Sequence, residues 1–502
     1  MPARTPPAPL AVRPHPHLIE IPLWTWLERL SSQAGRSLSL RDVPDAEWDR
    51  IRQLGFDWVW LMGSWRRSPQ ARQLFRSDPA RFAEYDRALP GWTLDDVLGS
   101  PYAIADYRPD PRMGSWRELA VARRKLRERG IRLMLDFIPN HTALDHPWAR
   151  RNPHFYMEGR ESDFRTAPER FALVEEKSGN LRFRAHGRDP YFPPWPDTAQ
   201  LNLFDSGLRR AAAETIRRIA RHADGVRCDM AMLALNGIFA RTWSALAEQP
   251  APGEEYWREV LAAAPSLVCL AEAYWDTEMQ LQDLGFAFTY DKKFYDALRD
   301  GSADGVRRAL GSDFARQQRM AHFLENHDEQ RAAAIFSADR IEAAATLAAT
   351  APGMRFYFHG QIDGAKIHLP VELGRAPEEP VDSAMRCLYE RLLRLADADV
   401  FHRGAWRLLA PESAGDQSHE NLIVYEWRTA QSWKLVAANP TRSVAQARVA
   451  LGEEACADAA RFLLRDELHD VAYPRSREEL ATGLYIQLDA GRAHIFDVRP
   501  GD

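Results

Sequence analysis

The sequence predicts an α/β fold: a (β/α)8 (TIM) barrel with an inserted subdomain after strand three and a C-terminal antiparallel β domain. Three observations predict it. Short apolar runs alternate with helix-like stretches about eight times over roughly 380 residues. That alternation breaks most clearly between His141 and Leu203, a stretch rich in Pro, Arg and aromatics and too long for an ordinary loop. From Phe401 onward the texture changes to short alternating runs, as in paired antiparallel strands.

In chain order, residues 1–17 form a proline-rich leader expected to be disordered. The barrel occupies 18–141 and 203–400, the insertion 142–202 and the β domain 401–502. Leu18 to Trp26 reads as the first strand and Phe56 to Met62 as the second. Ile131 to Asp136 is the third, preceded by an arginine-rich helix, Trp116 to Arg129, and the stop signal Gly130. Helix Leu208 to His222 leads into strand four, Gly225 to Asp229, and helix Trp257 to Ala264 into strand five, Leu267 to Glu272. Phe286 to Tyr290, Ala321 to Glu325 and Met354 to Phe358 supply strands six to eight, with helices Ala332 to Ala349 and Asp382 to Ala396 between or after them. In the β domain, Asn421 to Trp427, Trp433 to Ala438, Leu484 to Leu488 and Ala493 to Val498 read as strands.

With 502 residues, 45% of them hydrophobic, the chain can bury a large core. A net charge of −5 and the lack of a basic stripe argue against nucleic acid as a partner. The leader has no apolar run of signal-peptide length, and no run of about 18 apolar residues suggests a membrane span. Four cysteines, Cys228, Cys269, Cys387 and Cys456, have no metal-ligand spacing and read as free thiols of a reducing, cytoplasmic compartment.

The chemistry is concentrated at four strand ends. Arg227 and Asp229, two apart on strand four, share a face, so the arginine can hold the carboxylate ionised; a structural ion pair would look the same. Glu272 ends an apolar strand that solvates a charge poorly, which raises a carboxyl pKa and suits a general acid; a buried structural glutamate fits equally. His327 and Asp328 form a polar tip after strand seven, and Asp136 and His141 frame the end of strand three, where Asp136 can equally be a structural anchor. Barrel enzymes carry their sites at this carboxyl-terminal face, so these separate signals reinforce one another. A pair of carboxylates beside charge-holding groups is what cleavage of a glycosidic bond requires.

These segments, Asp136-Phe-Ile-Pro-Asn140-His141, Gly225-Val-Arg227-Cys-Asp229, Ala271-Glu272 and Asn326-His327-Asp328, resemble the four signature regions of the α-amylase superfamily of retaining glycoside hydrolases. The stretch Pro196 to Asn202 is similar to the family's further signature near the end of its inserted domain, and Ala351 to Gln361 to its strand-eight segment. The resemblance implies Asp229 as nucleophile, Glu272 as acid/base and Asp328 as a third carboxylate that binds ring hydroxyls. It further implies that Arg227, His141 and His327 line the same subsite, that Tyr102 stacks under the bound ring, and that Asp136 links to Arg227. The substrate would be an α-glucoside or α-glucan, cleaved or transferred with retention. No cofactor is implied, and Asn140 remains as a possible calcium ligand.

The chain departs from the family at two places. Met232 and Leu233 stand where starch-cleaving members carry a Lys-His pair, which would give an apolar leaving side favouring a sugar acceptor over water. Ala103 replaces the aspartate of exo-glucosidases in Pro101-Tyr102-Ala103-Ile-Ala-Asp106-Tyr107, a pattern more similar to glucan-building transglycosylases. Trp65, Trp195 and Trp275 are expected near the mouth, and Glu329, Gln330 and Arg331 offer acceptor contacts. A sugar phosphorylase and a non-catalytic scaffold that binds sugars or partner proteins, both on the same fold, remain as other readings.

Overall fold

The structure, a computed structural model, describes residues 12–175, 179–246, 250–452, 456 and 459–501. Eight parallel strands close a barrel: β1 (His17–Pro22), β2 (Trp58–Met62), β3 (Arg132–Phe137), β4 (Gly225–Cys228), β5 (Val268–Ala271), β6 (Phe288–Tyr290), β7 (Met320–His322) and β8 (Met354–Phe358). Each pairs with its neighbours in sequence, and β8 closes on β1. These strands are apolar through most of their length because both faces are covered, as parallel sheets require.

The first strand is shorter than the sequence suggests. Pro22 has no N–H to continue the ladder, and Leu23, Trp24, Trp26, Leu27 and Leu30 recur at helical spacing. The chain therefore enters helix α1 (Leu23–Ala34) and buries those five residues. The helix expected over Ala332 to Ala349 is two, Ala332–Ile335 and Ile341–Thr350, separated by a turn in which Ser337 O accepts from the N–H groups of Arg340 and Ile341. Strand seven lies earlier than expected, so His322 is in the ladder and Glu325 beyond it. Of the expected leader, residues 1–11 lie outside the described residues. Its last part is built in: His15 is buried and its Nδ1 accepts from Gly353 N–H, and His17 pairs with Arg355 of β8.

The insertion leaves after β3 and returns by pairing Thr198–Gln200 antiparallel with His141–Ala143, which pins His141 to the barrel rim. Between them lies a small sheet of Glu158–Gly159, Leu181–Ala185 and Phe171–Glu175. At the C-terminus a six-stranded antiparallel sheet runs in the order Ala405–Leu409, Ile423–Arg428, Trp433–Ala438, Ala493–Pro500, Arg461–Asp466, Val471–Ser476. A three-stranded sheet packs with it around a core of its own, including Val424, Leu435, Phe462 and Ile486.

Cys228, Cys269 and Cys456 are free and buried, and Cys387 is free and exposed. No helix among the described residues is long and apolar enough to cross a membrane.

Candidate active site

The barrel register gathers the polar strand ends. Arg227 of β4 pairs with Asp136 of β3, and the ladder continues one step further: Asp229 N–H donates to Phe137 O and Glu272 N–H to Cys228 O. Asp229 and Glu272 thus leave adjacent strands at the same level.

Arg227, fully buried, bridges them. Its Nη1 donates to Asp229 Oδ1 at 2.6 Å, and its Nη2 lies 2.7 Å from Glu272 Oε2. Rings of Trp60, Tyr102 and Tyr290 surround the guanidinium, with centroids 5.2, 5.4 and 5.6 Å from its Cζ. Burying a charge is costly unless it is paired; here burial would lower the arginine pKa, and the neighbouring charge of Glu272, above all, holds it up.

Glu272 is held on both oxygens. Met230 N–H donates to Oε2 at 2.5 Å, and Tyr274 Oη donates to Oε1 at 2.9 Å. Burial pushes its pKa up to about 7 against the pull of Arg227, with the charges of Asp229 and Asp328 adding to the rise. Burial also raises Asp229, opposed by Arg227. Met230, between the two carboxylates in the chain, sits at φ 42°, ψ 47°. A left-handed conformation at a residue with a side chain is a strain that persists where surrounding contacts fix it.

His327 completes the floor. Its Nδ1 lies 2.6 Å from Glu20 Oε1, and its Nε2 lies 2.8 Å from Tyr102 Oη and 3.1 Å from Asp328 Oδ2. The Tyr102 ring stacks on it at 5.2 Å. Burial alone would lower this imidazole, but the charges of Asp328 and Glu20 raise it to about 9. The Asp328 side chain is 50% exposed at the mouth. His141 is buried beside Trp195, with ring centroids 5.1 Å apart, and burial lowers its pKa to about 3, so it is a neutral donor or acceptor.

Several expectations are corrected. Asp136 does not pair with Arg227. Its carboxylate accepts from Trp60 Nε1 (3.0 Å) and Gly63 N–H (2.8 Å), because the neighbouring β2 strand supplies donors at that level, and Arg227 reaches it only as a charge. Met232 and Leu233 are buried in the core and do not form a leaving side. Arg331 is buried against Glu325 (3.1 Å) and Glu329 faces Lys292 (3.1 Å), so neither is free for an acceptor. Trp65 is buried, with its indole N–H on Asp136 O, and packs instead of lining the mouth.

The calcium reading near Asn140 does not fit. Both of its oxygens accept from the Gln200 amide (2.9 Å each), its carbonyl also takes Leu201 N–H, and neither contact involves a carboxylate. A hard cation needs several free oxygens. Among the described residues, one group has metal-ligand spacing, Asp466, His469 and His494 in the C-terminal domain, and its ligand atoms lie within 4.8 Å of one another.

Sequence reasoning missed Glu20, Trp60, Tyr274 and Tyr290. Glu20 carried a signal: a lone acid in the apolar run Leu18 to Ile21 must find a buried partner. The aromatic residues carried none, since each fits a buried strand or rim.

Comparison with known proteins bears on this geometry. A family model described as the α-amylase catalytic domain matches residues 47–178. Alpha-amylase 3 of Dictyoglomus thermophilum is 25% identical over 313 residues, 58% of this chain and 58% of that one. Alpha-amylase MalA of Haloarcula japonica is 25% identical over 250 residues, 48% of this chain and 32% of that one. The chain therefore spans little more than half of the first relative and a third of the second. The family model over residues 47–178, the two curated relatives and the shared fold all point to the α-amylase superfamily, the resemblance read from the sequence. Solved structures share its fold over nearly the whole length: a maltogenic α-amylase from Thermotoga neapolitana (TM-score 0.65, 17% identity, covering 96% and 98% of the two chains) and an α-amylase from Geobacillus thermoleovorans complexed with acarbose (0.64, 17%, 97% and 99%). A debranching enzyme from Nostoc punctiforme is similar to the same extent (0.66, 15%, 96% and 98%). At these strand ends Asp229 and Glu272 meet around the buried Arg227, and Glu20 and Asp328 meet around His327.

Proposed function

We propose that the chain is an α-glycoside hydrolase or transglycosidase that acts on α-glucosides or α-glucans through a covalent glycosyl-enzyme, with retention of configuration. The observation that carries this reading is the Arg227 bridge between two buried carboxylates whose surroundings differ. Arg227 occupies Oδ1 of Asp229 and favours its ionised form, leaving Oδ2 to attack the anomeric carbon. Glu272 Oε2 already accepts an N–H and faces the guanidinium, so its proton belongs on Oε1, next to Tyr274 Oη.

The steps follow. Glu272 protonates the leaving oxygen as Asp229 Oδ2 bonds to the anomeric carbon and the glycosidic C–O bond breaks. Ionised Glu272 then takes a proton from water or a sugar hydroxyl, whose oxygen displaces Asp229. Asp328 and His327 bind ring hydroxyls, Tyr102 lies under the ring, and Asp136 acts by positioning β2 against β3. An acarbose complex of the Geobacillus relative supports an α-glucan-like occupant.

Phosphorolysis has less support, because both Nη atoms of the arginine touching the carboxylates are committed to them. A cytoplasmic location with free thiols accords with the cysteine pattern. The test is to incubate the protein with maltooligosaccharides, sucrose, trehalose and aryl α-glucosides, with and without phosphate, and resolve the products. Glucose or shorter glucans indicate hydrolysis, and redistributed chain lengths indicate transfer. Sugar phosphate, or no turnover of any of them, overturns the reading.

A further inference from the structure

A cavity of about 600 Å³ lies beside α1, walled on its other sides by helix Pro69–Arg76 and the segment around Asp110 to Met113. None of the catalytic carboxylates lines it. Gly63 does, and the same residue's N–H holds Asp136.

Its charge is unbalanced. Arg67, Arg72, Arg76 and Arg112 line it against only Glu28 and Asp110. Arg67 Cζ lies over the Trp24 ring, 3.9 Å from its centroid; its Nη1 donates to Gly99 O, and its Nη2 is buried with no hydrogen-bond partner among the described residues. Arg72 and Arg76 both donate through Nε to one carbonyl, Val97 O, at 3.1 and 3.2 Å, which brings two like charges together. Arg76 is offset by the exposed Asp95, whereas neither Arg72 nor Arg112 has an ion pair among the described residues. Adjacent guanidinium groups repel unless an anion lies between them, and their forked donors match phosphate oxygens.

The remaining lining selects more than a bare anion. Leu27, Leu38 and Met113 give an apolar wall, and Ser37 adds a hydroxyl group. The volume is within the range of small-molecule sites and far exceeds one phosphate ion. We propose that this cavity binds a phosphorylated sugar, with the phosphate on Arg67, Arg72 and Arg112, the hydroxyls on Glu28 and Asp110, and a ring face on the apolar wall. Nothing in this proposal depends on the catalytic reading.

The test is calorimetric titration of the full chain with glucose 6-phosphate, inorganic phosphate and glucose. Saturable binding of glucose 6-phosphate is expected, tighter than that of phosphate and with no matching signal from glucose. Arg72→Gln with Arg112→Gln should weaken it by about tenfold or more, since each removes a charge-assisted donor pair. Arg112→Gln alone, at an exposed position, should move it in the same direction, while Asp229→Asn should leave it unchanged. The proposal is overturned if no saturable binding occurs, if phosphate binds as tightly, if the double variant binds like the unmodified chain, or if Asp229→Asn abolishes binding.

Discussion

Glu272 owes its raised pKa first to burial, and Arg227 limits the rise to about 7. The protonated form is the acid of the first step, so kcat/KM on glucans is expected to fall as pH rises through about 7, because the carboxyl loses its proton there. A profile flat from pH 6 to 8.5 would remove Glu272 from that role. Glu272→Gln is expected to suppress glucan cleavage far more than cleavage of an aryl α-glucoside whose leaving group needs little protonation; equal losses on both would count against it. Asp229→Asn is expected to lower kcat by at least about 10³-fold while leaving the thermal midpoint within a few degrees, since the amide keeps the shape and loses the nucleophile. At this scale the sequence exposed Arg227, Asp229, Glu272, His327 and Asp328, because each is a polar break at the end of an apolar run. It did not expose who holds whom. The donors to Asp136 come from Trp60 and Gly63, distant in the chain, and only the barrel register reveals them.

Elements carry the next set of consequences. Gly353 opens β8 at φ +110°, and a Cβ there would lie 2.3 Å from Met320 O of β7. Gly353→Ala is expected to cost more than about 2 kcal/mol, read as a lower urea midpoint at unchanged slope. Unchanged stability would mean that β7 and β8 are not packed as described. On the insertion, Tyr191 and Phe192 are each 69% exposed, and Tyr191 meets Trp275 edge-on at 4.9 Å. Their turn is fixed by Asp189 Oδ1, which accepts both of their N–H groups. Trp275 follows Tyr274, the partner of Glu272, so this aromatic pair adjoins the strand end that carries Glu272. Tyr191→Ala with Phe192→Ala is expected to raise KM for maltooligosaccharides several-fold, by about 1–3 kcal/mol per lost stacking contact at most, with little change in kcat for an aryl glucoside. An unchanged KM would show that the pair only packs. Barrel strands were legible as apolar runs bounded by turn residues. The end of β1 was misplaced because Leu23 to Leu30 is as apolar as the strand before it, and only Pro22 and the change from continuous to helical spacing mark the boundary. The buried place of Met232 and Leu233 was hidden for a related reason: an apolar residue after a strand end fits a core or a sugar-facing wall equally well.

Across the whole molecule, the C-terminal β domain is tied to the barrel by a charged cluster. His469 Nδ1 and His494 Nδ1 each lie 2.7 Å from Asp466 Oδ2, and His469 Nε2 lies 3.3 Å from Glu342 on the barrel helix Ile341–Thr350, which also pairs with Arg492 at 2.8 Å. Hydrogen bonds to Asp466 and Glu342 raise His469 to about 9 from 6.5. Folded protein therefore binds this proton more tightly than unfolded chain does. The stabilisation is complete below pH 6.5 and is lost as pH rises through about 9, on the order of 1–2 kcal/mol for a side chain partly open to solvent. His469→Gln should flatten the pH dependence of the unfolding midpoint between those values, and an unaltered dependence would show that the cluster does not bind the domains together. The barrel also brings Glu20 of β1, the ends of β4 and β5 and the segment after β7 together around Arg227 and His327, and the proposed stereochemistry rests on that convergence. The most direct test is the anomeric configuration of the first-formed product, followed by NMR before mutarotation. Retention through Asp229 requires α product to appear first; β product appearing first would contradict the covalent intermediate and the roles given to both carboxylates.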